Sequence, residues 1–159
     1  MNKRRQPGFT LVELLITLAV LALLATIAVP VAQVSRQRVQ ETALRRALQD
    51  IRDGIDAYHR ASVDGRIPKS ANSTDWPRDL DVLVEGVPDQ LDPQKSKLYF
   101  LRRVPRDPMN ADASVSDART WRTRAYASEP DDPQEGEDVY DVSSTSAGTG
   151  LNGVPYAKW

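Results

Sequence analysis

The amino terminus of this chain combines a basic leader, one isolated carboxylate and a long uncharged run. Lys3, Arg4 and Arg5 precede Glu13, and residues 14 to 32 contain no charged side chain. At a rise of about 1.5 Å per residue, such a run reaches just under about 30 Å as a helix, the thickness of the hydrocarbon core of a bilayer. The segment therefore predicts one membrane-spanning helix whose basic end stays in the cytoplasm.

Glu13 is the residue that conflicts with this environment. An unpaired carboxylate inside the bilayer costs a few kcal/mol, so ionisable residues at such positions usually have a partner or a function. We therefore interpret Glu13 as a candidate functional residue.

The overall composition limits what the remainder of the chain can be. The 159 residues include 21 Lys and Arg, 22 Asp and Glu, and no Cys. This charge balance does not favour nucleic-acid binding, and neither a disulfide nor a thiolate metal site is available. Removal of residues 1–8 would delete three cations and no acid, leaving an acidic chain. Outside the membrane there is room for one small domain.

A second helical pattern lies beyond the apolar run. Its apolar positions recur at spacings of four and three, which is one face of a helix; they are Leu44, Leu48, Ile51, Ile55 and Tyr58. We predict one helix from about Phe9 to about Ala61. Pro30 removes one helical hydrogen bond, so it predicts a kink or local loosening; the alternative is a helix end at the membrane face.

The remaining residues predict short elements around a small antiparallel sheet. Residues 74–84 indicate a turn or short helix with Pro77 in its first turn, and residues 98–101 indicate a strand. Residues 120–126 and 138–142 alternate as half-buried strands do. If these two strands pair, Arg122 and Arg124 would face Asp138 and Asp141.

Enzymatic chemistry is not predicted. His59 is the only histidine, and no cysteine nucleophile accompanies it. No spacing brings Ser and Asp to that position as a triad would require. The glycines near the carboxyl terminus have no helix after them, unlike a phosphate-binding loop.

The segment Gly8-Phe9-Thr10-Leu11-Val12-Glu13-Leu14-Leu15 resembles the signal of type IV pilins and type II secretion pseudopilins. The resemblance implies that a prepilin peptidase cuts between Gly8 and Phe9 and that the new Phe9 amine is methylated. It also implies that Glu13 pairs with the terminal amine of a neighbouring subunit, and that Pro30 lies where the helix loosens in the filament.

The predicted organisation follows from that resemblance. Residues 1–8 are a leader that is removed, residues 9–34 form the transmembrane and polymerisation helix, and residues 35–159 form the periplasmic domain with the second half of the helix. The predicted fold class is α+β, with a long amino-terminal helix packed on a small antiparallel sheet.

Further along the chain, the order of elements is similar to that of the major pseudopilin of type II secretion systems. It runs through Tyr58, residues 101–108 and residues 139–144 to Trp159. Type IVa major pilins usually close their last loop with a disulfide, so the absence of Cys favours the pseudopilin branch. A pilin of a type IV pilus and a monomeric membrane-anchored binding domain remain alternatives.

The pseudopilin resemblance implies a location and a set of partners. The protein would cross the bacterial inner membrane once, with its carboxy-terminal domain in the periplasm, and assemble into a pseudopilus that drives export of folded proteins. Its partners would be copies of itself, minor pseudopilins, the prepilin peptidase, the inner-membrane assembly platform and, indirectly, a cytoplasmic ATPase.

The last loop departs from the pseudopilin pattern. Major pseudopilins commonly bind calcium there, but Ala147 and Asn152 stand where acids are expected, and Ca²⁺ prefers several charged oxygens. We predict no metal site; the candidates, if calcium binds, are Asp138, Asp141 and Asn152. The acidic residues between Glu129 and Asp138 are interpreted mainly as a solvated loop.

Overall fold

The computed structural model describes residues 9–69 and 74–159. Its helices are α1 (Leu11–Val63) and α2 (Val82–Glu85), with 3-10 helices at Asp117–Thr120 and Tyr156–Lys158. Its strands are β1 (Val87–Pro88), β2 (Lys97–Leu98), β3 (Trp121–Arg124) and β4 (Asp141–Ser144). Strand β1 pairs with β2, and β3 pairs with β4, both antiparallel. The predicted α+β layout of a long helix and a small antiparallel sheet is confirmed, with two two-stranded sheets in the described residues.

Helix α1 begins and ends within two residues of the predicted limits. It remains helical through Pro30, so the alternative of a helix end at this proline is not observed. Its carboxyl end is closed at Gly65, whose φ is 75°. The Gly65 and Arg66 amides donate to the Ser62 and Ala61 carbonyls, at 3.0 and 2.9 Å. A glycine in this left-handed conformation is the usual way to stop a helix.

Tertiary contacts divide the chain after Val39, and the second compact unit runs from Gln40 to Trp159. The functional boundary between residues 34 and 35 stays a prediction, because it refers to the membrane surface.

The predicted apolar stripe of α1 forms the base of the core in this second unit. Its side chains are buried, except for a half-buried Tyr58. They pack in one cluster with apolar residues from α2, β3 and β4, which are Leu83, Trp121 and Val142. The helix thus contributes one face to the core and leaves the other exposed.

The predicted strand at residues 98–101 is mostly wrong. Only Lys97 and Leu98 pair with β1. The amides of Phe100 and Leu101 do not continue this pairing, because both donate to the Leu83 carbonyl, at 3.0 and 2.9 Å. The carbonyl end of α2 therefore competes successfully for these donors. Helix α2 starts at Val82, whereas the sequence had placed Pro77 in the first turn. The Asp79 carboxylate accepts the Val82 amide at 2.9 Å at this start.

The register of β3 and β4 confirms one of the two predicted cross-strand pairs. Arg124 lies opposite Asp141, whereas Arg122 lies opposite Ser143, so its expected pairing with Asp138 is wrong. Strand β4 starts only at Asp141. Asp138 is buried before it and accepts the Tyr126 amide at 2.9 Å. A buried carboxylate that already holds a backbone donor is not available to an exposed arginine.

An ion pair joins the end of α1 to the segment after β1. The Arg66 guanidinium donates to Asp89 through Nε and Nη2, at 3.1 and 2.5 Å from Oδ2. The hydrogen bond from Arg66 holds the pKa of Asp89 below its usual value. A lowered folded-state pKa contributes stability above the unfolded value of about 3.9, and this contribution is lost as the pH falls through the folded value.

We expect Asp89→Asn to lower the melting temperature at pH 7 and to have a smaller effect at pH 3, because the stability contributed by the lowered pKa of Asp89 is already being lost below the unfolded value of about 3.9. Thermal melts of the full chain in detergent at both pH values measure this difference. Asp56→Asn, at an exposed position on α1, is the control. An equal loss for Asp89→Asn at both pH values would contradict the role of the ion pair.

Candidate functional site

The first turn of α1 holds Glu13 by a capping arrangement. Thr10 precedes the helix, and its Oγ1 accepts the Glu13 amide at 3.2 Å, while the Thr10 carbonyl accepts the Leu14 amide at 3.2 Å. A threonine followed three residues later by a glutamate is the spacing of a capping box. The Glu13 carboxylate also lies near the positive end of the helix dipole.

Sequence reasoning missed this capping role, although the Thr-x-x-Glu spacing before an apolar run could have revealed it. The bond to Thr10 uses the Glu13 backbone amide and not its carboxylate, so a capping-box role of the side chain is an expectation from the spacing, beside the predicted pairing with another subunit. The two functions differ in chemistry, because a neutral glutamine can serve a capping box but cannot form a charge pair.

The predicted cleavage site lies between Gly8 and Phe9, and the described residues begin at Phe9. Gly8 lies outside the described residues. Phe9 precedes the helix and is 81% exposed. A chain cut before Phe9 would carry its new amine four residues from Glu13.

The apolar half of α1 is long and apolar enough to cross a membrane, and none of its most apolar stretch is buried in the described structure. Its polar side chains are satisfied locally. The hydroxyls of Thr17 and Thr26 donate to the carbonyls of Leu14 and Leu23, at 2.9 and 2.7 Å. Internal satisfaction of polar groups is what a lipid environment requires. Pro30 lies within the same exposed helix surface.

The calcium candidates are engaged with separate partners. Asp138 accepts the Tyr126 amide, and Asn152 Oδ1 accepts the Val154 amide at 3.0 Å. Asp141 Oδ1 accepts Arg52 Nε at 2.8 Å, and its Oδ2 lies 3.7 Å from an Arg124 nitrogen. The Asp141 carboxylate thus already lies beside two guanidinium groups, and these take the place that a cation would need. No group of three or more His, Asp or Glu side chains converges within residues 9–69 and 74–159.

The last loop is held to the helix by two charged side chains that the sequence analysis did not identify. Glu41 is buried, and its Oε1 accepts the Leu151 amide at 2.8 Å and the Tyr156 hydroxyl at 3.0 Å. Arg52 Nη2 donates to the backbone oxygens of Val142 and Trp159, at 3.1 and 2.8 Å. These contacts fasten the carboxy-terminal residues onto α1.

A buried polar network around Asp107 holds the end of β4, which leads into this last loop. Asp107 Oδ2 accepts the Ser144 hydroxyl at 2.6 Å, and Asp107 Oδ1 accepts the Met109 amide at 2.8 Å. The Asp107 amide in turn donates to Thr120 Oγ1 at 3.1 Å. The carboxylate of Asp107 therefore links the end of β4 to the segment before β3.

His59 contributes to packing. Its ring stacks on Trp76, with centroids 3.9 Å apart and planes at 7°, and its Nδ1 lies 3.3 Å from the Asp75 carbonyl. Trp76 continues the aromatic contacts toward Tyr126 and Tyr140. Such stacked contacts contribute about 0.5 to 1.5 kcal/mol beyond simple burial.

Comparisons with known proteins identify the amino-terminal segment. Residues 3–29 match the family described as Prokaryotic N-terminal methylation motif, the signal of type IV pilin-like proteins. No curated protein and no solved structure matches the chain. The match includes Gly8, Phe9 and Glu13 and supports a relationship to pilins and pseudopilins. The chain thus carries the amino-terminal signal of a type IV pilin-like protein.

Proposed function

We propose that this protein is a structural subunit that polymerises into the periplasmic pseudopilus of a type II secretion system. The observation that carries the proposal is the methylation motif over residues 3–29, followed from Leu11 onward by a helix whose apolar side chains are exposed. An apolar surface of this extent needs to be covered. The bilayer covers it before assembly, and neighbouring helices cover it in a filament.

Assembly would follow from the removal of the leader. The prepilin peptidase cuts between Gly8 and Phe9, and the new amine of one subunit pairs with the Glu13 carboxylate of the next. Pairing compensates a charge that the apolar surroundings would otherwise penalise. Pro30 provides the place where the helix loosens inside the filament, because its ring removes a backbone donor.

In this proposal the protein performs no reaction itself. A cytoplasmic ATPase and the inner-membrane assembly platform add subunits at the membrane, minor pseudopilins accompany them, and growth of the filament moves folded cargo through the outer membrane. The absence of Cys in the sequence supports this branch over a type IVa pilus, whose major pilins usually have a carboxy-terminal disulfide.

Co-expression with a prepilin peptidase tests the processing step. We expect mass spectrometry of the mature protein to find an N-methylated Phe9 at the amino terminus, because the peptidase recognises the motif around Gly8. Gly8→Val, which changes only the residue before the cut, is the control and should keep its leader. A mature protein that starts at Met1 would remove the prepilin interpretation.

A separate observation distinguishes the pseudopilus from a type IV pilus. Genes for a secretion channel and several pseudopilins should lie beside the gene for this protein. Retraction-motor genes in their place would favour the pilus. Electron microscopy of overexpressed protein should reveal filaments, whereas a monomeric anchored domain would form none.

A further inference from the structure

The Arg52 guanidinium connects three segments of the second unit. It extends from α1, and its Nε donates to Asp141 Oδ1 at 2.8 Å. Its Nη2 donates to the backbone oxygens of Val142 and Trp159, at 3.1 and 2.8 Å. Asp141 and Val142 begin β4, and Trp159 follows the 3-10 helix at residues 156–158. One positive group on the helix thus gathers three oxygen atoms from two distant segments.

The residues of the last loop do not fit the calcium ion that the pseudopilin resemblance implies there. Ca²⁺ takes about six to eight oxygen ligands, and several of them are usually charged. Asp138 and Asn152 each accept a different backbone amide, and Ala147 has no side-chain oxygen. Among the candidates this leaves the Asp141 carboxylate, which cannot hold the ion by itself.

The charge of Asp141 is already balanced by the protein. The Arg52 Nε binds its Oδ1, and an Arg124 nitrogen lies 3.7 Å from its Oδ2. Both carboxylate oxygens therefore face a guanidinium group, and the side chain is only 32% exposed. A divalent ion brought to this carboxylate would meet two positive groups at close range, and this repulsion opposes binding.

We propose that Arg52 takes the place of a bound cation, so that the last loop folds without a divalent metal. A bound calcium ion neutralises carboxylates and holds backbone carbonyl groups together. The Arg52 guanidinium does both, because it neutralises Asp141 and binds two backbone oxygens. Its planar set of donors has a fixed geometry and serves all three acceptors at once, whereas the ammonium group of a lysine is a single point charge.

A second arginine of α1 contacts the residue at the end of this connection. The guanidinium carbon of Arg45 lies 4.5 Å from the centroid of the Trp159 ring. Arg45 precedes Arg52 by seven residues, which is about two helical turns, so both side chains extend from one face of the helix. Two cationic side chains of α1 thus hold Trp159.

The calcium dependence of the melting temperature tests the proposal on the full chain in detergent at pH 7. We expect wild type to melt within about 1 °C of the same temperature in excess EGTA and in calcium chloride, with magnesium chloride as the control for ionic strength. Arg52→Gln removes the charge and should lower the melting temperature by roughly 5 °C, because hydrogen bonds to a charged group are lost. Arg46→Gln, at an exposed position on the same helix, is the matched control.

Charge reversal gives the sharper comparison. Arg52→Glu places a second carboxylate beside Asp141 and the two backbone oxygens, and carboxylate and carbonyl oxygens are the ligands that calcium prefers. This variant should melt below Arg52→Gln in EGTA, because the two carboxylates repel each other. Calcium should raise its melting temperature by at least about 5 °C, and Arg46→Glu should show no such response.

Three results would overturn the proposal. They are a wild-type melting temperature that rises with calcium or falls in EGTA, an Arg52→Gln variant as stable as Arg46→Gln, and an Arg52→Glu variant whose calcium response does not exceed that of Arg46→Glu. If Arg52→Glu is unfolded in EGTA, a cooperative melt should return when calcium is added, and its absence would count against the proposal as well.

A consequence for assembly rests on the proposed function. Filaments of methylated wild-type protein should form equally well in EGTA and in calcium. Filaments that require calcium would overturn the role of Arg52 and leave the proposed function intact. Methylated protein that forms no filaments in either condition would contradict the proposed function, whereas the melts would still decide the role of Arg52.

Discussion

Replacement of Glu13 by leucine is expected to leave membrane insertion and cleavage intact and to abolish filament assembly. In the proposed filament the substitution leaves the amine of a neighbouring subunit without its partner. Removal of one partner from a buried ion pair costs about 3 to 5 kcal/mol. Subunit addition should therefore weaken at least about a hundredfold. The readouts are mass spectrometry for a methylated Phe9 and electron microscopy or sedimentation for filaments.

Glu13→Gln is the matched control for the role of Glu13 in the helix cap. The observed bond to Thr10 uses the backbone amide of residue 13, and glutamine is also found at this position of a capping box, so this variant keeps the cap and removes only the charge. We expect Glu13→Gln to be cleaved and to fail in assembly as Glu13→Leu does. Normal filaments from the glutamine variant would show that capping, and not charge pairing, is what assembly requires.

Replacement of Ile51 by alanine is expected to cause a large loss of stability in the second compact unit. Ile51 is 0% exposed and lies at the centre of the apolar stripe on α1. Truncation of a buried isoleucine to alanine costs about 2 to 5 kcal/mol, because both transfer energy and packing are lost. This loss is a large part of a domain's typical free energy of unfolding, which is about 5 to 15 kcal/mol.

Two variants on the same helix calibrate the measurement. Ile51→Val removes one methylene and should cost about 0.5 to 1.5 kcal/mol. Asp56→Ala, on the exposed face, should change stability by less than about 0.5 kcal/mol. Denaturant unfolding of the full chain in detergent, followed by tryptophan fluorescence, measures all three free energies. A loss below about 1 kcal/mol for Ile51→Ala would contradict its place at the centre of the core.

The features that were predicted correctly depend on neighbours along the chain. The stripe from Leu44 to Ile55 is visible because a helix repeats every 3.6 residues, and burial follows from that period. The finding that the helix is long and apolar enough to cross a membrane follows from the length and apolarity of residues 14 to 32. The Thr10 cap of Glu13 was equally local and could have been predicted.

The features that were missed depend on residues far apart in the sequence. The strand expected at residues 98–101 stops early because the Leu83 carbonyl takes the Phe100 and Leu101 amides. Asp141 was expected to face an arginine of the neighbouring strand, but its contact with Arg52, 89 residues earlier, was not predicted. Glu41 seemed an ordinary helix residue, although it accepts a hydrogen bond from Tyr156, 115 residues later.

The sequence by itself determined the long helix, the apolar segment that is able to cross a membrane and the methylation motif, because hydropathy, helical period and a short signal are properties of contiguous residues. Only the tertiary structure decided the strand limits, which of the two expected pairs between β3 and β4 forms, and the fastening of the last loop to α1. Those choices are competitions among hydrogen-bond partners from distant segments, and a buried polar group binds whichever partner the fold brings within reach.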